Sequence, residues 1–429
     1  MRKILLTLAA TALLPSAAMA QGNTPEYTSN GLNSPSGQAS LPRTTNLTLN
    51  TALEKAYAAN PELAAAQNAL LALDGTVLQA ETRPNPELQA TVEDTRSATR
   101  TSTLQLNQRI ELGGKRSARI DAAERGRDLA KAELEIVQAS IQTEVTSAFY
   151  DTLVAQERVR LAQSSIALAE SALRTAQKRV EAGKVSPVEA TKAGIALAGA
   201  RVDYARAEST LKSSKKRLAT AMGEPQVNFE TVEGNLETPP ELPTIETLEA
   251  RLTQSPTYRK AQIEVDRRKA ISEVERSKGV PDVTVSLGGR KNQELGLNQA
   301  VFGVSIPIPV FDRNQGNLLE SLRRADQAKD ELTATQYRLS RELQAAYENL
   351  SASREEFLAL REKILPSAQN AYEAASKGFE MGKFSFLEVL DAQRTLFDAM
   401  AQSQQSLAQS HRYAAELQGI LGQTPANTQ

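Results

Sequence analysis

The chain repeats one long pattern twice. Ala58-Ala59-Asn60-Pro61-Glu62-Leu63, with Ala66-Gln67 behind it, recurs as Thr253-Gln254-Ser255-Pro256-Thr257-Tyr258 with Ala261-Gln262. Ala176 to Ser186 recurs as Ala375 to Ser385. The offset is about 195 residues at the first match and about 199 at the second, far beyond the 20–50 residues of a stacked solenoid. One large unit is therefore used twice, with small insertions.

Each unit changes periodicity midway. Leu49 to Ala80 has helical spacing, interrupted where Asn60 can cap a second helix opened by Pro61. Two alternating segments follow. Leu88, Ala90 and Val92 form one apolar row; Leu104, Leu106 and Ile110 form the next, with Gln108 breaking it. In the second unit the rows are Val283, Val285, Leu287 and then Phe302, Val304, Ile306, Ile308. Segments of about 9–11 residues are long enough to cross a bilayer as tilted strands.

Long helices come next. No proline falls between Lys115 and Ala182, and Pro366 alone interrupts Asn314 to Gly378. Roughly 65 residues of helix span about 100 Å. Ile166, Ala169, Leu173, Ala176, Val180 and Gly183 keep 3,4 spacing. So do Leu343, Ala346, Leu350, Ser353, Phe357, Leu360, Ile364, Ser367, Ala371, Ala374 and Gly378. Each long helix reverses at a Gly-Lys turn into a shorter helix. The returning seam of the second unit runs from Val389 to Ile420.

The boundaries expected are a signal peptide at 1–20, a flexible arm at 21–46, repeat 1 at 47–223, a linker at 224–243, repeat 2 at 244–422 and a tail at 423–429. The β-hairpins are expected at about 86–112 and 281–309, and the tip turns at about 183–187 and 382–386. Arg2-Lys3, the apolar run Ile4–Leu14 and Ala18-Met19-Ala20 mark export. No later run reaches ~18 apolar residues, so no spanning helix is expected. Cysteine is absent, so packing or assembly must hold an exported chain, and anchoring through an acylated cysteine is not expected. Aromatics at 4% and a mean hydropathy of −0.39 suit slender helices with narrow seams. Loss of Arg2 and Lys3 makes a slightly negative chain more negative, which argues against a nucleic-acid partner.

The fold class expected is mainly α with a small β part. Four membrane-length strands cannot close a barrel alone, because about eight are the minimum. Open edges are not tolerated in lipid. The strands are thus shared between chains, or they lie outside a membrane; three chains would supply twelve.

Asn60-Pro61-Glu62-Leu63, Pro84-Asn85-Pro86-Glu87-Leu88, Gln108 to Arg116, Ala148-Phe149-Tyr150, Pro307 to Arg313 and the two Gly-Lys turns resemble one known family. It is the TolC superfamily of outer-membrane efflux proteins, most similar in its cobalt–zinc–cadmium resistance (CzcC-like) branch. The resemblance spans roughly residues 47–422. It implies a homotrimer with a β-barrel in the lipid of a Gram-negative outer membrane and a helical coiled-coil tunnel in the periplasm. It further implies a periplasmic adaptor protein and an inner-membrane, proton-driven pump of the RND type. The cargo implied is heavy-metal cations of the Co, Zn, Cd or Ni kind. Organic toxins, drugs or secreted polypeptides are the alternative cargo. A periplasmic adaptor or a structural coiled-coil protein are the alternative classes.

No catalytic constellation, cofactor motif or metal-ligand set stands out. Gly113-Gly114-Lys115-Arg116 lacks the rest of a phosphate loop and reads as a strand-to-helix turn. His411, the only histidine, reads as an ordinary helix-face residue. The resemblance points instead to the tips. Glu189, Glu388 and Asp391 match acids lining the periplasmic entrance, although acids are favoured near any helix N-terminus. Glu388 and Asp391 share a face at i, i+3, whereas Lys192 occupies the position matching Asp391 in the first unit. Gly183, Lys184, Val185, Ser186 and Gly382, Lys383, Phe384, Ser385 are the expected adaptor contact; the alternative is that they only cap their own hairpins.

Overall fold

The computed structural model describes residues 44–235, 237–381 and 383–422. The expected signal peptide, most of the arm, Gly382 and the tail lie outside the described residues.

The first unit contains β1 (Thr44–Leu47), α1 (Leu49–Ala59), α2 (Pro61–Glu81), β2 (Glu87–Glu93), β3 (Thr101–Ile110), α3 (Lys115–Glu181) and α4 (Pro187–Ala221). After β4 (Phe229–Val232), the second contains α5 (Ile245–Arg251), α6 (Pro256–Lys278), β5 (Val283–Asn292), β6 (Leu297–Ser305), α7 (Gln315–Ala359), α8 (Leu365–Glu380) and α9 (Phe386–Leu421).

Two irregular assignments are corrected. Thr44–Asn46, placed in the arm, belong to β1, and the linker contains β4; the two strands pair in parallel. Phe229 and Val232 bury their side chains in the core beside Leu47, which gives these short segments an apolar reason to order. The second hairpin also ends earlier than 309. Strand β6 stops at Ser305, because Pro307 and Pro309 cannot donate to a ladder.

The strands of the two hairpins form one antiparallel sheet in the order β2-β3-β5-β6; β2, with seven residues, falls short of the roughly 9–11 expected, and the other three reach it. Residues directly opposite each other share a face. Leu88, Leu106, Leu287 and Phe302 therefore make one rung, and Ala90, Leu104, Gly289 and Ala300 the next. Leu88 is 71% exposed and Phe302 78% exposed. The opposite face is polar: Gln105 and Asn107 both donate to the Gln89 side chain, at 2.9 and 3.0 Å. Edges β2 and β6 each have one paired neighbour.

Gly113-Gly114 is the strand-to-helix turn expected. Both glycines have positive φ, and a Cβ on Gly113 would come within 2.6 Å of Val280. Lys115 closes the turn by an ion pair to Asp282 at 2.5 Å, joining the two units at the base of the sheet.

Away from the sheet, α3 continues for 67 residues, about 100 Å at 1.5 Å per residue. Next to the sheet the helices pack in the row α2-α3-α6-α7; farther away the row is α4-α3-α9, with the far part of α7 and then α8 on the other side of α9. Between them lies the main core, where Phe149, Ile141 and Val145 of α3 meet Leu53 of α1, Leu218 of α4 and the β1–β4 pair. A second cluster joins Leu343 and Leu350 of α7 to Leu417 of α9 and Leu248 of α5.

The seam of the second long helix does not run unbroken. Leu360–Ile364 form a π turn, and Leu365 N–H donates to Leu360 O, an i→i+5 bond. Pro366 follows; it lacks an N–H and its ring would strike the carbonyl four residues back in a regular helix. The extra residue turns later positions by about 100°. Ala368 and Ala375 are buried, while Ser367, Ala371 and Ala374 are exposed and Ile364 is 46% exposed. Of the later positions expected in the seam, Gly378 is covered.

Candidate functional site at the hairpin tips

The first tip is built by local chain chemistry. Gly183 has φ +66°. Lys184 N–H donates to Arg179 O and Gly183 N–H to Val180 O, both at 2.9 Å, the paired bonds of a Schellman turn. Ser186 then caps α4 through Val188 N–H, and Pro187 takes the first helical position. Glu189 sits in that first turn, half-buried, as Val185 is.

The second tip uses related chemistry with different side chains. Lys383 N–H donates to Gly378 O at 2.8 Å. Ser385 and Glu388 form a reciprocal capping box: Ser385 accepts from Glu388 N–H, and the Glu388 carboxylate accepts from Ser385 N–H at 2.5 Å. The carboxylate of Glu388 thus has a structural task at the helix start. Asp391 lies one turn on, exposed, and Lys192 of α4 is also exposed. The Phe384 ring packs on Gly378, where an added Cβ would lie 2.2 Å from it. Even so, Phe384 keeps 44% exposure.

The two tips lie side by side. The Arg179 guanidinium stands 4.5 Å from the Phe379 ring centroid and donates to Phe379 O at 3.4 Å. Ala172, Ala176 and Ala193 of the first hairpin pack with Phe379 and Leu390 of the second. Sequence reasoning missed this join. Arg179 carries no local signal, since its partner is about 200 positions away.

His411 is not an ordinary helix-face residue. It stacks on Tyr150 of α3, with centroids 4.1 Å apart and planes 8° from parallel. Its Nε2 is buried without a hydrogen-bond partner. Burial pulls its pKa down to about 4, against a weaker opposing hydrogen bond with the Thr238 backbone. Burial likewise pushes Tyr150 up to about 12. Among the described residues, no group of three or more His, Cys, Asp or Glu is placed to hold a metal ion.

The family model for outer membrane efflux proteins matches residues 52–224 and 247–423, one match per repeat. The cobalt-zinc-cadmium resistance protein CzcC of Cupriavidus metallidurans is 44% identical over 376 residues, covering 88% of this chain and 90% of that one. The nickel and cobalt resistance protein CnrC of the same organism is 28% identical, covering 70% and 73%. In fold, the chain matches the crystal structure of CusC with a TM-score of 0.74 at 17% identity, covering 88% and 92%. It matches VceC from Vibrio cholerae with 0.73 at 18%, covering 87% and 96%. A double family match that fills both repeats, with a relative this similar along nearly the full length, settles the membership: the chain belongs to the outer membrane efflux protein family.

Proposed function

We propose that three copies of this chain form the outer-membrane duct of a tripartite export system that expels heavy-metal cations. The observation that carries this is a set of matching open ends. The sheet ends at β2 and β6; the helix rows end at α2 and α7, and at α4 and α8. Each terminal helix has an uncovered stripe. Leu71 and Leu78 of α2 are 63% and 67% exposed, Leu319 and Tyr337 of α7 57% and 72%. Val188, Ile195 and Val202 of α4 recur every seventh residue, exposed by half or more. On α8 the exposed stripe is the row turned outward by the π turn. Joining β6, α7 and α8 of one copy to β2, α2 and α4 of the next is a head-to-tail contact, which closes a ring when the rotation allows. Three copies supply twelve strands, with the apolar rungs toward lipid and the Gln-rich face toward the lumen.

Such a duct does no chemistry. It conducts what an adaptor and an inner-membrane, proton-driven pump deliver, and the tips are the surface it offers them. Similarity to CzcC and CnrC supports cobalt, zinc, cadmium or nickel as cargo. A conduit should not retain what it passes, so metal export does not call for a tight site in this chain. The test is deletion of the gene followed by titration of growth against these four cations and against organic toxins. Loss of tolerance to the cations alone is the expected result. Sensitivity to organic toxins alone would remove the metal cargo while leaving the duct.

We also propose that Asp391 faces the lumen near the tip, where three copies make a carboxylate ring. Asp391→Asn in planar bilayers lowers cation selectivity or changes conductance. Single-channel behaviour identical to the wild type rules the ring out.

A further inference from the structure

One level of the helix row is marked by a chain of contacts across all four helices. Arg217 of α4 meets Asp151 of α3 at 2.7 Å, and Asp151 meets Arg412 of α9 at 3.1 Å. Two residues before Arg412, Ser410 Oγ lies 3.0 Å from Ser353 Oγ of α7. The α4 backbone near 217 and the α7 backbone near 353 thus stand at one height, at opposite ends of the row.

At that height the uncovered stripes change character. On α4 the row of Val188, Ile195 and Val202 continues in the same heptad phase as Ser209, Lys212 and Lys216. On α7 the exposed positions between 348 and 359 are Glu348, Asn349, Ala352, Glu355, Glu356 and Ala359. One terminal face is basic and the other acidic. Because α4 and α7 run in opposite directions, Lys212 falls level with Glu355 and Glu356, and Lys216 about one turn nearer the sheet. Lys216 already donates to Pro225 O, which leaves two of its three donors.

We propose that neighbouring copies set their register through this band, with Lys212 and Lys216 of one copy paired to Glu355 and Glu356 of the next. The inference rests on the ring assembly proposed above and names the contact that fixes it. Its physical need is specific. Val188, Ile195 and Val202 recur every seventh residue, so against small residues such as Ala371 and Ala374 a slip of seven exchanges one β-branched side chain for another and costs little. Opposite charges at one height penalise the slipped pairings, because charge across an interface sets specificity more than affinity.

The test is a charge swap in the full chain, purified in detergent and sized by light scattering, with helicity checked by circular dichroism. K212E/K216E raises the concentration at which trimers dissociate by about tenfold or more, and E355K/E356K does the same. Combining all four substitutions restores assembly. Wild-type trimer stability in either double variant, or failure of the combination to recover it, overturns the band. A double variant that loses helicity is replaced by K212Q/K216Q or E355Q/E356Q, for which dissociation rises by several-fold; unchanged assembly again overturns the proposal. A wild-type chain that is folded but monomeric instead overturns the ring assembly itself, and the band with it.

Discussion

Replacing Phe149 with alanine destabilises each chain by about 3–5 kcal/mol, the usual cost of emptying a buried phenylalanine site. Phe149 is 1% exposed and sits where α3, α1, the end of α4 and the β1–β4 pair converge. Its ring meets Tyr150 edge-on at 5.7 Å. The chain beyond β4 passes so close that a Cβ on Gly234 would lie 3.0 Å from the ring. Neither side can collapse into the gap, since α3 is fixed along its length and Gly234 has no side chain to lend. With typical stabilities of about 5–15 kcal/mol, the loss is a large share of the total. The measurement is the urea midpoint of the purified chain, together with the amount reaching the outer membrane. Phe149→Leu keeps most of the volume and should recover much of the loss. A midpoint unmoved by the alanine would mean that this junction does not hold the chain together.

Acid is expected to weaken the fold between pH 6.5 and about 4 through His411. The unfolded imidazole titrates near 6.5 and the folded one near 4. Across that window unfolding takes up a proton, so the unfolded chain gains as the pH falls. The contribution is fully present above pH 6.5 and is lost as the pH drops to about 4. A fall from 6.5 to about 4 corresponds to about 3 kcal/mol per chain. His411→Phe preserves the stack on Tyr150 and removes both the proton and the unpartnered Nε2. Urea midpoints at pH 7.5, 5.5 and 4.5 therefore fall less for His411→Phe than for the wild type. Parallel decline of the two proteins would show that other groups govern the acid response.

Much of the architecture is legible because its signals are local. Alternation over Leu88–Val92 and Val283–Leu287 reports a two-faced strand, and the observed register puts both sets on one face. Asn60-Pro61 and Ser186-Pro187 are caps whose chemistry needs only neighbours in the chain. At the tips, Gly183 and the Ser385–Glu388 box were readable for the same reason. The role of Glu388 was less so, because a carboxylate that caps a helix and one that lines an entrance have the same sequence.

Other features depend on partners far away in the chain. The parallel pairing of β1 with β4 joins two segments of four residues each, too short to register a period. Arg179 against Phe379 and His411 against Tyr150 likewise have no pattern to announce them.

What the sequence determined by itself is the repeated unit, its strands, its long helices and its turns, since each follows from spacing within a few residues. What only the tertiary structure decided is which face of a helix is covered. A single residue added at Leu360–Ile364 turns everything beyond it by about 100°. It moves Ala368 and Ala375 inward and leaves Ser367, Ala371 and Ala374 for another surface. Heptad spacing names a stripe; the packing of α9 beside α8 selects which of two stripes it covers.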